Sequence, residues 1–181
     1  IAKTMKTRAL IAATVAACTM QAAQAQESAT ETAALRCSAV SLLHSSLTVP
    51  SPQVGEMMVQ IAGMFAEIYS TQVGQRTKAK LTTAELKSRR DAVLVELRKG
   101  WPGNKDKLVR DAALCNNWRN EFTAKLPEKP TEKQFITAMT QATPPATPPG
   151  KAEIEKWTRL TTEAMGAAAA MNAPPDRKSV V

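Results

Sequence analysis

No stretch of this 181-residue chain alternates apolar and polar residues as a half-buried strand must. Apolar residues instead recur at helical spacing between abrupt proline and glycine breaks. Composition agrees, because the seven aromatic residues (three Phe, three Trp and Tyr69) are outnumbered by Ala, Leu, Met, Lys and Glu. Those residue types lose little side-chain freedom in a helix. The expected class is all-α: a disulfide-tied antiparallel bundle of about four helices, a short extra helix, and a C-terminal helix behind a proline-rich spacer.

The breaks set the helix limits. A first helix is expected over residues 31–46, with Val40, Leu43 and Leu47 near the Cys37 side, and Val49-Pro50-Ser51-Pro52 stops it. A second covers residues 53–78, with Val54, Met58, Ile61, Phe65 and Ile68 on one broad face. Thr82 with Glu85 forms a capping-box pattern for a third, over 83–99, which Gly100-Trp101-Pro102-Gly103 ends. Asn104 is the expected cap of a fourth, which reaches Lys125. These four make a core over residues 30–126, and the short loops among the last three imply antiparallel neighbours. Residues 127–150 carry a short helix capped by Thr131 and Gln134, then a stiff spacer of polyproline character. Residues 151–173 form an amphipathic helix whose stripe holds Ile154, Trp157, Thr161, Ala164 and Met165; residues 174–181 are expected to be a disordered tail.

The first twenty-five residues have the layout of an export signal. Lys6 and Arg8 follow Met5, the expected true start; an apolar run reaches Met20, and Ala23-Gln24-Ala25 closes it. Cleavage after Ala25 is the main expectation, placing the product in the periplasm or outside the cell. Val15-Ala16-Ala17-Cys18 offers a rival in which Cys18 carries a lipid anchor. The run is too short for a transmembrane span, which needs about 20 apolar residues. Either reading takes Cys18 out of the count and leaves Cys37 and Cys115, which are expected to pair in an oxidising compartment. Removing residues 1–25 also takes Lys3, Lys6 and Arg8 and no acid, so the formal charge falls from +8 to +5.

Chemistry is harder to find. Phosphate loops, dinucleotide glycines, nucleophile elbows and zinc-protease motifs are missing, and His44 is the single histidine. No catalytic, metal-binding or cofactor-binding residue is assigned. His44 can be a pH sensor or, more plainly, a histidine bonded to a neighbouring carbonyl. Arg90 and Arg119 fall in the middle of apolar stripes, where a guanidinium must pair, reach the rim or line an anion pocket. Between Arg76 and Arg110 there are eleven cations, among them Lys78, Lys80, Lys99, Lys105 and Lys107, against four acids. Such a charge attracts an acidic protein or an anionic envelope surface; nucleic acid is not expected, since the aromatic interleaving for single strands is missing. The C-terminal helix, through Ile154, Trp157 and Met165, either docks on its own bundle or reaches a partner. The expected function is a non-enzymatic binding module of the cell envelope. The alternatives are an envelope enzyme, or enzyme subunit, with a carboxylate site in the bundle, and a lipoprotein on an anionic membrane.

Overall fold

The computed structural model describes residues 26–47 and 52–171, and among them every regular element is an α-helix. In chain order these are α1 (Ala29–His44), α2 (Pro52–Thr77), α3 (Thr83–Lys99), α4 (Lys105–Ala124), α5 (Glu132–Gln141) and α6 (Lys151–Met171). The expected signal segment, Cys18, the Pro50 break and the tail at 174–181 lie outside the described residues.

Three helices start as local chemistry dictates. The hydroxyls of Ser28, Thr82 and Thr131 accept the backbone N–H groups of Glu31, Glu85 and Gln134, whose side chains bond back to the cap residue's N–H. Each such cap is worth about 1 kcal/mol. Asn104 behaves otherwise. Its side chain makes no cap on α4; its Nδ2 donates instead to the Leu97 carbonyl at 2.9 Å, satisfying a C-terminal acceptor of α3 and fastening the tight α3–α4 turn.

The helix order along the chain is not the packing order. α1 lies at the centre, in contact with α2, α3, α4 and α6, and α3 rests on α1 more than on α2. The expectation that α2, α3 and α4 pack as successive neighbours gives way to this arrangement. Its cause is the composition of α1, where Ala34, Ser38, Ala39 and Ser41 are small enough for helices to close in on several sides. Buried hydroxyls are kept satisfied, as Ser38 Oγ donates to the Ala62 carbonyl of α2 at 2.7 Å. A disulfide between Cys37 and Cys115 (Cα–Cα 5.5 Å) ties α1 to α4.

Two later elements complete the core. α6 lies on α4 and α1, burying Trp157, Thr161, Ala164 and Ala168. α5 closes the opposite part of the core over α2. There Gln72 Nε2 donates to the carbonyls of Met139 (3.1 Å) and Ala142 (2.9 Å), and Phe135 meets Phe122 edge to face.

At Gly55, α2 runs close against the backbone that follows α1. A Cβ there would lie 2.8 Å from the Ser45 carbonyl oxygen and 3.1 Å from that of Leu47, both main-chain atoms that cannot swing aside. Gly63, in the same helix, has open space around it. Gly55→Ala is expected to lose about 1 to 2 kcal/mol by overpacking, and Gly63→Ala to gain about 0.5 to 1 kcal/mol by relieving glycine's entropy cost. Urea denaturation of both variants checks this; midpoints moving in the same direction would contradict the close approach.

Candidate functional site

His44 ends α1 inside the protein, 1% exposed, although it is the only histidine of the chain. Its Nδ1 lies 2.7 Å from the Val40 carbonyl and its Nε2 lies 2.9 Å from Thr161 Oγ1 on α6. A carbonyl can only accept, so Nδ1 carries the proton and Nε2 accepts from the threonine hydroxyl. The Trp157 ring stands edge-on to the imidazole at 5.2 Å. Burial away from water pushes the His44 pKa down to about 4, against the smaller opposing effect of the Val40 bond. The neutral ring thus joins α1 to α6, and Ile154 and Met165 are half-buried against the same core cluster. The three residues marked for a partner helix accordingly lie on the chain's own bundle, with Trp157 buried.

The two arginines of the apolar stripes have different settings. Arg90 lies 3.8 Å from Asp91, and its Nε is buried without a hydrogen bond among the described residues. Among the described residues Arg119 bonds neutral partners only, the side-chain carbonyls of Asn120 at 2.8 Å and Asn116 at 3.4 Å. It shares the wall of a small cleft with His44 and Trp157.

The lysines do not form one patch. Lys78 and Lys80 sit between α2 and α3, whereas Lys99, Lys105 and Lys107 sit around the α3–α4 turn, so the 17 residues of α3 separate the groups by roughly 25 Å. Lys78 holds a left-handed backbone (φ 58°) just past α2, a conformation that usually falls to glycine or asparagine. Beside it, a polar cleft of about 720 Å³ is largely neutralised from within. The buried acid Glu31 accepts Arg76 Nε on both oxygens, at 2.9 and 3.0 Å, and Glu27 accepts from both Tyr69 and Arg89. Burial raises the Tyr69 pKa, and the Glu27 bond adds to the effect.

The α3–α4 turn is different. Arg98, Lys99, Lys105, Lys107 and Arg110 fall within thirteen residues that hold a single acid, Asp106. Lys107 pairs with Asp111, which also takes Arg36; no ion pair occupies Arg98, Lys99, Lys105 or Arg110 among the described residues. Arg98 and Trp101 border an apolar depression of about 430 Å³ whose far side is Met165, Gly166 and Ala169 of α6. Sequence reasoning named the cations but not this depression, because α6 lies more than fifty residues away along the chain.

A second feature without a sequence signal is a groove of about 440 Å³ between α4 and α5, with Trp118, Phe122 and Leu126 on its floor and Lys125 and Lys133 beside it. Among the described residues no group of three or more His, Cys, Asp or Glu is placed to hold a metal ion, and no helix is long and apolar enough to cross a membrane. The chain matches no protein-family model, no characterised protein and no solved structure.

Proposed function

We propose that the protein is a non-enzymatic binding module of the cell envelope, which engages an acidic partner protein through the α3–α4 turn. The observation that carries this reading is the apolar depression between Trp101 and α6, bordered by Arg98, at a turn where Arg98, Lys99 and Lys105 make no ion pair among the described residues. Cations around an apolar hollow favour a partner that offers carboxylates around an apolar side chain. The hollow is concave, which suits a protein knob better than a flat bilayer. Export is part of the proposal, supported by the signal-like N-terminus and by the disulfide, which oxidising compartments preserve.

The test is capture from an envelope fraction at about 50 and 500 mM salt, with the wild-type chain and the Lys99→Glu/Lys105→Glu variant. The wild type is expected to retain a defined acidic protein at low salt and release it at high salt. The charge-reversed chain should bind that protein roughly tenfold or more weakly, a difference of about 1.4 kcal/mol or more. Equal binding by both chains, or binding indifferent to salt, sinks the assignment. Binding of the wild type to anionic phospholipid vesicles alone transfers it to the membrane surface.

A further inference from the structure

Cleavage of the signal-like N-terminus after Ala25 makes Gln26 the first residue of the exported chain. The residues that follow it are held in place. Glu27 accepts from the Tyr69 hydroxyl and from Arg89, and Ser28 forms the capping box of α1 with Glu31. Gln26 itself lies outside α1 and is exposed, and no hydrogen bond holds its side-chain amide among the described residues.

A terminal glutamine in this setting carries both reactants of a ring closure. Its α-amine and its own Cδ are the two ends of a five-membered lactam, and the fold leaves the side chain free to bend back. The amine must be neutral to react, because an ammonium has no lone pair. Gln26 borders the cleft that also holds Arg76, Lys80 and Arg89. The acids near it are already engaged: Glu31 by Arg76, Glu27 by Tyr69 and Arg89, and Glu85 by Thr82. Those cations, together with the positive N-terminal end of α1, disfavour a further positive charge at this place.

We infer that Gln26 is a modification site, at which the exported chain begins with a pyroglutamyl ring. The α-amine nitrogen bonds to Cδ of the Gln26 side chain and the Cδ–Nε2 bond breaks. The amide nitrogen leaves as ammonia, taking the proton that the amine gives up, so no oxidant, reductant or second substrate is needed. The product is a neutral lactam, which removes the terminal charge beside α1 and offers aminopeptidases no free amine. The inference rests on the export reading of the N-terminus and is independent of the α3–α4 turn.

The chain expressed from Met5 in a bacterium and recovered from the periplasm provides the test. After overnight incubation at neutral pH, mass spectrometry should find an N-terminal peptide that begins at Gln26 and is one ammonia lighter than its sequence. That peptide should resist stepwise N-terminal degradation until a pyroglutamyl peptidase removes the ring. Gln26→Glu should be cut at the same bond and keep a free amine, since a carboxylate is a far poorer acceptor for the amine than an amide. A wild-type chain that begins at Gln26 with an intact amine overturns the proposal and leaves export standing. A chain that is uncleaved, or that begins at a lipid-bearing Cys18, overturns the proposal together with the cleavage on which it rests.

Discussion

Removing the disulfide, by reduction or by the double change Cys37→Ala/Cys115→Ala, is expected to cost about 4.5 kcal/mol of folding free energy. The bridge joins residues 78 apart, so in the unfolded chain it holds closed a long loop that would otherwise explore many more conformations. Domains of this size are typically stable by only about 5 to 15 kcal/mol, so the loss is a large share of the total. In melting temperature it corresponds to a fall of roughly 10 to 15 °C. Reduction and substitution should agree closely, since both cysteines are buried and the alanine pair gives up only sulfur packing. Denaturant unfolding of oxidised, reduced and double-alanine chains makes the comparison. A loss below about 1 kcal/mol in the reduced chain would mean that the unfolded state is already held together by other contacts.

Acid should weaken the protein through His44. The imidazole has a pKa near 6.5 when unfolded and about 4 when buried in the folded chain, so the unfolded state binds the proton more readily. Its contribution is therefore complete above pH 6.5, is lost as pH falls from 6.5 to 4, and changes no further below that. The span corresponds to about 3 kcal/mol. Glu85 acts lower on the scale: the Thr82 backbone N–H, then its hydroxyl, hold that carboxyl below its ordinary value, so its contribution is lost only below about pH 4.5. His44→Gln should flatten the stability curve between pH 6.5 and 4.5 whatever its stability at neutral pH. A wild-type curve already flat there, or a variant curve with the same slope, would show that the imidazole is not responsible. Because His44 bonds Thr161, the acid-weakened region should include α6, which hydrogen exchange can locate.

The limits of α3 and the start of α5 were legible because their causes are local, whereas α1, expected over residues 31–46, runs Ala29–His44 because Ser28 caps it. Thr82 with Glu85 and Thr131 with Gln134 are complete instructions within four residues, and α3 begins and ends where they and Gly100 imply. Asn104 misled for an equally physical reason: its amide had a competing acceptor, the Leu97 carbonyl, that only the folded turn brings near. The cysteine pair was legible by elimination, once Cys18 was assigned to the signal. The candidate site was legible only in pieces. Lys99, Lys105 and Arg119 stood out by charge and register, but the hollow beside Arg98 and the cleft beside Arg119 each need α6 as a wall.

By itself the sequence determined the all-α class, the helix boundaries set by caps and breaks, and the Cys37–Cys115 pairing. Each rests on short-range chemistry or on simple elimination. The tertiary structure alone decided that α1 is the central helix, that α6 returns to the bundle, and that His44 is a neutral buried link. Those outcomes depend on residues far apart in the chain, such as His44 and Thr161 at a separation of 117, meeting in a low-dielectric interior. Helical periodicity shows that a face must be covered; which helix covers it is settled by the fit of small side chains on α1 and by the paths the loops allow.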